Sequence, residues 1–291
     1  MQHPTSSAET SNPMVAIVTG ASKGLGRGIA RAFGTLGMTT YITGRDSDGS
    51  LRDAAAEVEA LGGRCTPIAC DHRDDDSVAA MIARVIEESG RIDILVNNAA
   101  AVYRDHLLAP GGFWEKPLVL ADMIDVGLRS SYVAAWHAAR HMVGARSGLI
   151  ANISFYGAVS YFAGPAYGAT KAGVDKMSHD MAIDLAPHDV ATVAFWPGLI
   201  RTDAIDAMAA ADVSDDLRAR LPRFERPEFS GLVLAALARD RELMALSGRS
   251  LIGAELGSRY GILDIDGKQP LSYRDSMGDP DGRFLSPQPA R

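Results

Sequence analysis

The sequence predicts one α/β domain, with about seven parallel strands in a doubly wound sheet and helices on both of its faces. Three observations favour this class. Short apolar runs alternate along the chain with amphipathic helical segments. The runs are nearly continuous in apolar residues, which is typical of parallel strands that are covered on both faces. No linker or internal repeat divides the 291 residues into smaller units.

The strands are assigned in order from their composition. MVAIVTG is apolar almost throughout, whereas MTTYITGR is rich in β-branched residues. The predicted strands are Met14–Gly20, Met38–Arg45, Cys65–Asp71, Arg91–Ala100, Ser147–Ser154, Val190–Gly198 and a segment within Leu246–Gly257.

The helices follow from their periodicity and their stop signals. The first places Ile29, Ala30 and Phe33 on one face, and the second ends at two glycines. The predicted helices are Gly24–Gly37, Ser50–Gly63, Asp74–Ser89, a long helix after Pro117 that ends near His141, and Ala166–Leu185. We expect an irregular segment at residues 101–117 and short helices beyond Thr202.

Composition excludes several classes of protein. The 47% hydrophobic and 22% charged residues are typical of a globular protein. A net charge of −7 argues against a nucleic-acid partner. No apolar stretch approaches the ~20 residues that a bilayer requires, so we expect no membrane partner. Cys65 and Cys70 are interpreted as reduced thiols, and the N-terminus lacks a secretory signal, so a cytoplasmic location is expected.

The domain boundaries follow from local composition. Residues 1–13 are polar and contain two prolines, which predicts a disordered extension. Residues 14–269 form the predicted domain, and residues 270–291 form a polar tail or a loosely packed cover. The Ala- and Met-rich residues 202–226 are predicted to close over the substrate as a lid.

A glycine-rich stretch, TGASKGLGRG, follows the first predicted strand and opens a helix. Glycines at such a turn allow positive φ and the close approach of a pyrophosphate, which the helix N-terminus attracts. The spacing is T-G-x-x-x-G-x-G rather than the more usual G-x-G-x-x-G, and a flexible loop is the alternative. We expect a dinucleotide-binding Rossmann fold, with cofactor contacts from Gly20, Ser22, Lys23, Gly24, Leu25 and Gly26.

The end of the second strand bears on the choice of cofactor. Where an acidic residue would bind the ribose 2′-hydroxyl, this chain has Thr43-Gly44-Arg45. Arg45 and Lys23 would attract a 2′-phosphate, which arginine can bind with two hydrogen bonds. Asp46, one position further, could equally cap a surface helix, so it is not counted as the ribose ligand. The sequence therefore predicts NADP(H) in preference to NAD(H).

A tyrosine and a lysine form a second constellation. Tyr167 and Lys171 are four residues apart and share a helix face. An ammonium lowers the pKa of a nearby phenol from its usual ~10, which would make the tyrosine a proton donor to a carbonyl that accepts a hydride. Ser154 precedes Tyr167 by thirteen residues and can reach the same carbonyl oxygen. Taken alone, the pair is also compatible with a solvated lysine on an amphipathic helix.

Together these motifs resemble the short-chain dehydrogenase/reductase family over residues 14–255, and the wider match resembles one of its subgroups. The motifs, in order, are Thr19-Gly20 to Gly26, Asp71, Asn97-Asn98-Ala99, Ser154, Tyr167, Lys171 and Pro197-Gly198 to Thr202. The resemblance implies that Lys171 binds the nicotinamide ribose, Asp71 the adenine, and that Asn98 lines the cofactor cleft. It further implies cofactor contacts from Pro197, Gly198, Ile200 and Thr202, the last two at the carboxamide.

The resemblance implies an NADP(H)-dependent oxidoreductase that acts on an alcohol or carbonyl substrate. One position departs from the family, since many members have an asparagine of the proton relay where this chain has Gly127. Three alternatives remain. A water bound to the freed backbone replaces the asparagine, the proton relay is slower, or the protein is a non-catalytic NADP(H)-binding regulator. No metal site is predicted, because no H-E-x-x-H surrounds His137 and His141.

The resemblance also implies a homodimer or homotetramer, built on the helices of Gly127 and Tyr167. The residues expected to allow close helix approach are Ala134, Ala135, Ala138 and Ala139. Tyr103, Phe113 and Trp114 are expected to line the substrate cleft or to anchor a surface loop. These aromatics suggest a bulky apolar carbonyl compound as the substrate.

Overall fold

The structure is a computed structural model, and it describes residues 13–107, 109–210 and 215–281. Within these residues, seven parallel strands form one sheet in the order β3-β2-β1-β4-β5-β6-β7. The strands are β1 (Val15–Val18), β2 (Thr39–Gly44), β3 (Arg64–Ala69), β4 (Ile94–Asn97), β5 (Gly148–Ile153), β6 (Val190–Trp196) and β7 (Ser250–Ile252). The predicted doubly wound sheet is confirmed, and its order changes direction between β1 and β4.

Helices cover both faces of the sheet. They are α1 (Gly24–Thr35), α2 (Ser50–Ala60), α3 (Asp75–Ser89), α4 (Arg104–Leu107), α5 (Ser130–Ala145), α6 (Pro165–Leu185), α7 (Asp203–Ala210), α8 (Asp215–Arg220), α9 (Pro227–Leu237), α10 (Leu243–Leu246), α11 (Gly253–Tyr260) and α12 (Arg274–Met277). One core lies beneath α1, α2 and α9, and a second beneath α3 and α5. Helices α1 and α9 pack closely because a Cβ at Gly28 would lie 2.1 Å from Pro227 Cβ. No helix among the described residues is long and apolar enough to cross a membrane.

The long helix predicted after Pro117 is wrong in its first half. The chain instead forms a 3₁₀ turn (Leu118–Ala121) and an irregular helical segment (Ile124–Arg129) before α5 begins. Val126 (φ −107°, ψ 92°) and Gly127 (φ 151°, ψ −54°) are not helical. Only glycine adopts this second conformation readily, so the helix is broken at the position where continuity was expected.

The expected alanine interface on α5 is wrong for three of its four residues. Ala134, Ala135 and Ala138 are buried in the core of their own chain, because this face of α5 packs on the sheet. The large apolar residues that α5 exposes are Tyr132 and Trp136.

The segment after Gln269 packs in part against the domain. The Tyr273 backbone N–H donates to the Tyr156 hydroxyl (3.2 Å), and the Tyr273 hydroxyl donates to the carbonyl oxygen of Arg223 (3.2 Å). Arg274 forms an ion pair with Glu255 (2.7 Å). Parts of three predicted segments lie outside the described residues. They are most of the N-terminal extension (residues 1–12), part of the lid (residues 211–214) and the end of the tail (residues 282–291).

Candidate active site

The glycine-rich turn connects β1 to α1 at the carboxyl edge of the sheet. Gly20 and Gly24 have φ of 63° and 62°, which favours glycine at both positions. A Cβ at Gly26 would lie 2.5 Å from Asn98 Nδ2 and 2.7 Å from the Gly20 carbonyl oxygen. Lys23 at the N-cap of α1 makes no capping hydrogen bond with its side chain. The N–H groups of the first helical turn therefore remain available to an anion.

Two residues from neighbouring strands hold this turn in place. Thr19 Oγ1 accepts hydrogen bonds from the N–H groups of Asn98 and Ala99, both at 2.9 Å. The Asn98 amide donates to the carbonyl oxygens of Thr19 (2.8 Å) and Gly20 (3.1 Å). The side chain that was predicted to line the cofactor cleft thus fixes the backbone of the turn.

His72 also supports the turn, and the sequence analysis missed it. Its Nε2 lies 2.7 Å from Thr43 Oγ1, which in turn accepts the Gly20 N–H at 3.3 Å. Burial lowers the pKa of His72 to about 4, partly opposed by Asp71, so the imidazole is neutral at pH 7. Asp71 itself is exposed at the end of β3, and its Oδ1 accepts the Arg73 N–H at 3.0 Å.

Two cations lie at the far end of the turn. Arg45 and Lys23 are exposed, and Arg45 makes no hydrogen bond or ion pair with any described residue. The pKa of the Asp48 carboxyl is lowered mainly by hydrogen bonds from Ser50 and further by the charge of Lys23. Lys23 thus acts on the same β2–α2 loop that begins at Arg45. Asp46 does not cap α2, whose N-cap is Gly49, but forms an ion pair with Arg52 (3.3 Å).

A cleft of about 260 Å³ lies between the turn and Thr202. Thr202 Cγ2 would be 3.8 Å from a Cβ at Gly24, and Thr202 Oγ1 accepts the Ile205 N–H (3.4 Å) at the start of α7. Arg201 and Arg226 also line the cleft, although the sequence analysis did not identify them. The guanidinium of Arg226 has no hydrogen bond or ion pair within the described part of the chain.

Tyr167, Lys171 and Ser154 meet where β5 ends and α6 begins. Lys171 Nζ lies 5.6 Å from the Tyr167 ring centroid and donates to the Ile153 carbonyl oxygen at 3.0 Å. Ser154 Oγ donates to the Lys171 carbonyl oxygen at 3.2 Å. The Tyr167 hydroxyl has no hydrogen-bond partner among the described residues, so it is free to bind a substrate. The structure therefore brings together the three residues that the sequence suggested.

Burial outweighs the predicted lowering of the Tyr167 pKa by Lys171 in this structure. Burial raises the pKa of Tyr167, since the ring lies against Phe155 and Phe162 and Lys171 does not compensate. Burial also lowers the pKa of Lys171 to about 8, although the carboxylate of Asp175 opposes this shift. At pH 7 the phenol is therefore neutral and can donate a proton.

Gly157 determines where the Tyr167 ring can lie, and the sequence analysis missed it. A Cβ at this position would be 2.6 Å from Tyr167 Cε1 and 2.8 Å from Tyr167 Cδ1. A side chain here would therefore displace the phenol. No sequence pattern identifies this contact, because it depends on how the Tyr156–Ala158 turn packs on α6.

An apolar cluster packs against Tyr167. Its members, which were in part unexpected, are Leu107, Leu120, Met123, Ala163, Tyr103 and Ala166. Phe113 and Trp114 do not join this cluster; they pack edge-to-face at 5.4 Å and are 64% and 76% exposed. Of the three aromatics predicted to line a cleft, only Tyr103 packs beside the candidate site.

Gly127 lies opposite α6, one helical turn from Tyr167. A Cβ there would be 3.1 Å from Thr170 Cγ2. Its N–H donates to Ser130 Oγ (3.1 Å), and its carbonyl oxygen accepts from Ser131 Oγ (2.6 Å). The backbone N–H of Gly127 is therefore already bonded, and its carbonyl oxygen already accepts one hydrogen bond.

Comparisons with known proteins agree with this geometry. The family model described as short chain dehydrogenase matches residues 14–212. The chain is 41% identical to dehydrogenase/reductase SDR family member 1 of Mus musculus, over 89% of this chain and 85% of that protein. That relative represents the subgroup that the wider sequence match resembles.

Two solved structures share the fold. One is a metagenomic short-chain oxidoreductase in complex with NADP, 31% identical, with a TM-score of 0.64 over 80% of this chain and 94% of that one. The other is an actinorhodin polyketide ketoreductase with NADPH, 25% identical, with a TM-score of 0.70 over 82% and 95%. With the glycine turn, the Tyr-Lys pair and the sheet order on one scaffold, the chain belongs to the short-chain dehydrogenase/reductase family of oxidoreductases.

Proposed function

We propose that the protein transfers a hydride between NADP(H) and an alcohol or carbonyl substrate, with Tyr167 as general acid/base assisted by Lys171 and Ser154. The observation that carries this proposal is the meeting of a neutral phenol, an amine and a hydroxyl at the carboxyl edge of the sheet. The phenol hydroxyl has no partner among the described residues, so a substrate oxygen can approach it.

The chain's residues fit a nicotinamide dinucleotide. The uncapped N-terminus of α1 and the cleft between Gly24 and Thr202 suit a pyrophosphate. By family analogy, Asp71 would bind the adenine, Lys171 the nicotinamide ribose, and Ile200 and Thr202 the carboxamide beside Pro197-Gly198. Bound NADPH would supply the hydride, and the protein would supply binding, orientation and a proton.

The proton would come from the Tyr167 hydroxyl. Because burial raises the pKa of this phenol, it holds its proton at neutral pH and can deliver it as negative charge develops on a carbonyl oxygen. The charge of Lys171 would stabilise the resulting phenolate, and Ser154 would position the substrate oxygen. In the reverse direction, the same residues would accept the proton of an alcohol.

The preference for NADP(H) over NAD(H) rests on charge. Arg45 and Lys23 border the β2–α2 loop where a 2′-phosphate would lie, and Arg45 has no partner among the described residues. The NADP and NADPH found with the two related structures support the same choice. Measured dissociation constants for both cofactors test it, and equal values in the wild type would refute it.

The substrate class follows from the apolar cluster beside Tyr167. Leu107, Leu120 and Met123 make the packing beside Tyr167 apolar, which suits a bulky apolar carbonyl compound. Residues 202–226 would cover such a substrate. A homodimer or homotetramer would cover Tyr132 and Trp136 on α5 and Ile183 on α6, which are exposed in the single chain.

The alternative is a non-catalytic NADP(H)-binding regulator, which Gly127 favours because it replaces a relay asparagine of many relatives. Incubation with NADPH and a panel of carbonyl compounds separates the two functions. Loss of reduced-nicotinamide absorbance supports the enzyme. Tight NADPH binding without turnover of any carbonyl would support the regulator.

A further inference from the structure

Asp175 lies four residues after Lys171 on α6, one helical turn deeper than the candidate site. The Trp196 indole N–H reaches both of its carboxylate oxygens, at 3.1 Å to Oδ1 and 3.2 Å to Oδ2. One side chain thus joins the end of β6 to the helix that bears Tyr167 and Lys171.

We infer that Asp175 is a positioning residue for the proposed reaction, acting as the counter-ion of Lys171 while the Trp196 indole holds its carboxylate in place. The inference rests on the proposed function, but it concerns a residue that touches neither substrate nor cofactor. It predicts that the charge of Asp175, and not only its shape, keeps the Lys171 amine protonated.

The surroundings of Lys171 explain why it needs a counter-ion. Within the described part of the chain, its Nζ donates one hydrogen bond, to the carbonyl oxygen of Ile153. This neutral partner does not balance the charge of the amine. Among the described residues, Asp175 is the carboxylate whose charge acts on Lys171, at a longer range than a direct ion pair, and Lys171 is the cation that acts on Asp175. The Tyr167 phenol on the preceding turn is neutral at pH 7.

The electrostatics agree in sign. Burial lowers the pKa of Lys171 to about 8, and Asp175 opposes that shift. Burial raises the pKa of Asp175 to about 6, against the hydrogen bonds from Trp196 and the charge of Lys171. Between these values both groups are charged. An uncharged residue at position 175 would leave the desolvation of Lys171 unopposed, so its pKa would fall further.

The first experiment measures the Lys171 pKa without any substrate. Full-length wild type and Asp175→Asn are labelled with a trace amine-acylating reagent across a pH series, and each lysine peptide is quantified by mass spectrometry. The chain has five lysines, so Lys116 and Lys268 serve as internal references. We expect the Lys171 midpoint to fall by about one pH unit in Asp175→Asn. An unchanged midpoint would overturn the inference.

Asp180→Asn is the matched control. Asp180 lies on the same helix but is exposed and paired with Lys176 (2.5 Å). This variant should leave the Lys171 midpoint unchanged. If Asp180→Asn shifts the Lys171 midpoint as much as Asp175→Asn does, the loss of any negative charge on this helix is sufficient for the shift. That result would also overturn the inference.

A double-mutant cycle covers the case in which Asp175→Asn folds poorly. Asp175→Asn is introduced into wild type and into Lys171→Met, and thermal unfolding is recorded for all four proteins. If Asp175 balances Lys171, the substitution is less harmful, or stabilising, when the lysine is absent. An equal decrease in Tm in wild type and in Lys171→Met would assign Asp175 a purely structural role and refute the proposal.

The pH-rate profile for carbonyl reduction connects the residue to the reaction. We expect the alkaline limb for Asp175→Asn to move to lower pH, with the NADPH dissociation constant little changed at pH 6. A superimposable profile would contradict the inference. If wild type reduces no carbonyl compound, the proposed function fails, while the labelling and the double-mutant cycle still test Asp175.

Discussion

Gly127 provides a quantitative test of the kink before α5. Its φ of 151° and ψ of −54° lie where L side chains are strained, and a non-glycine residue there costs ~1–3 kcal/mol. A Cβ would also lie 3.1 Å from Thr170 Cγ2, so α6 would have to shift by a few tenths of an ångström. For a chain of this size we expect Gly127→Ala to lower Tm by roughly 2–12 °C.

The assay is thermal unfolding followed by circular dichroism, with Gly144→Ala as control. Gly144 is an exposed residue of α5 with ordinary helical geometry, and a Cβ there would meet nothing within 4 Å. Alanine at this position should leave Tm unchanged or raise it, because alanine favours helix by up to ~1 kcal/mol over glycine. Gly127→Asn, which restores the residue of many relatives, should meet the same strain. If Gly127→Ala is as stable as Gly144→Ala, the backbone at Gly127 does not adopt the strained conformation that breaks the helix before α5.

Three further predictions follow. Gly157→Ala should lower kcat about tenfold or more and retain NADPH binding, because a Cβ would lie 2.6 Å from Tyr167 Cε1. An unchanged kcat would contradict this contact. In fluorescence titrations, Arg45→Asp should weaken NADPH binding about tenfold or more and leave NADH binding similar or improved. An equal loss of affinity for both cofactors would refute a 2′-phosphate site. Glu225 is 3% exposed, and burial raises its pKa from 4.5 to about 8, so the folded protein holds a proton that the unfolded chain releases. The contribution of Glu225 to stability should therefore decline between pH 4.5 and 8, by at most roughly 4–5 kcal/mol. Denaturant unfolding of wild type and Glu225→Gln across this range should show that difference, and parallel curves would contradict it.

The sheet and its motifs could be predicted because their signals are local. Each strand is a short apolar run, and the glycine turn and the Tyr167-Lys171 pair have fixed spacings along the chain. The predicted strand ends agree with the structure to within a few residues, apart from the last, where only Ser250–Ile252 of the proposed segment is strand.

Features that depend on packing could not be predicted in this way. The broken helix at Gly127 follows from a backbone conformation that helical periodicity does not encode. The direction of the Tyr167 pKa shift depends on how deeply the ring is buried beside Phe155 and Phe162, and a spacing of four residues reports only that Lys171 is near. His72, Arg226 and Asp175 reach the site from elements whose position is set by the sheet.

The most direct test of the proposed function compares wild type, Tyr167→Phe and Tyr132→Phe. Tyr132 is an exposed tyrosine of α5, so its variant removes the same hydroxyl away from the site. NADPH consumption is followed with bulky apolar ketones and aldehydes, and NADPH binding is measured in parallel. We expect turnover in wild type and Tyr132→Phe, and a loss of about a hundredfold or more in Tyr167→Phe with binding intact. Undiminished turnover in Tyr167→Phe would contradict the role of this phenol as the proton donor.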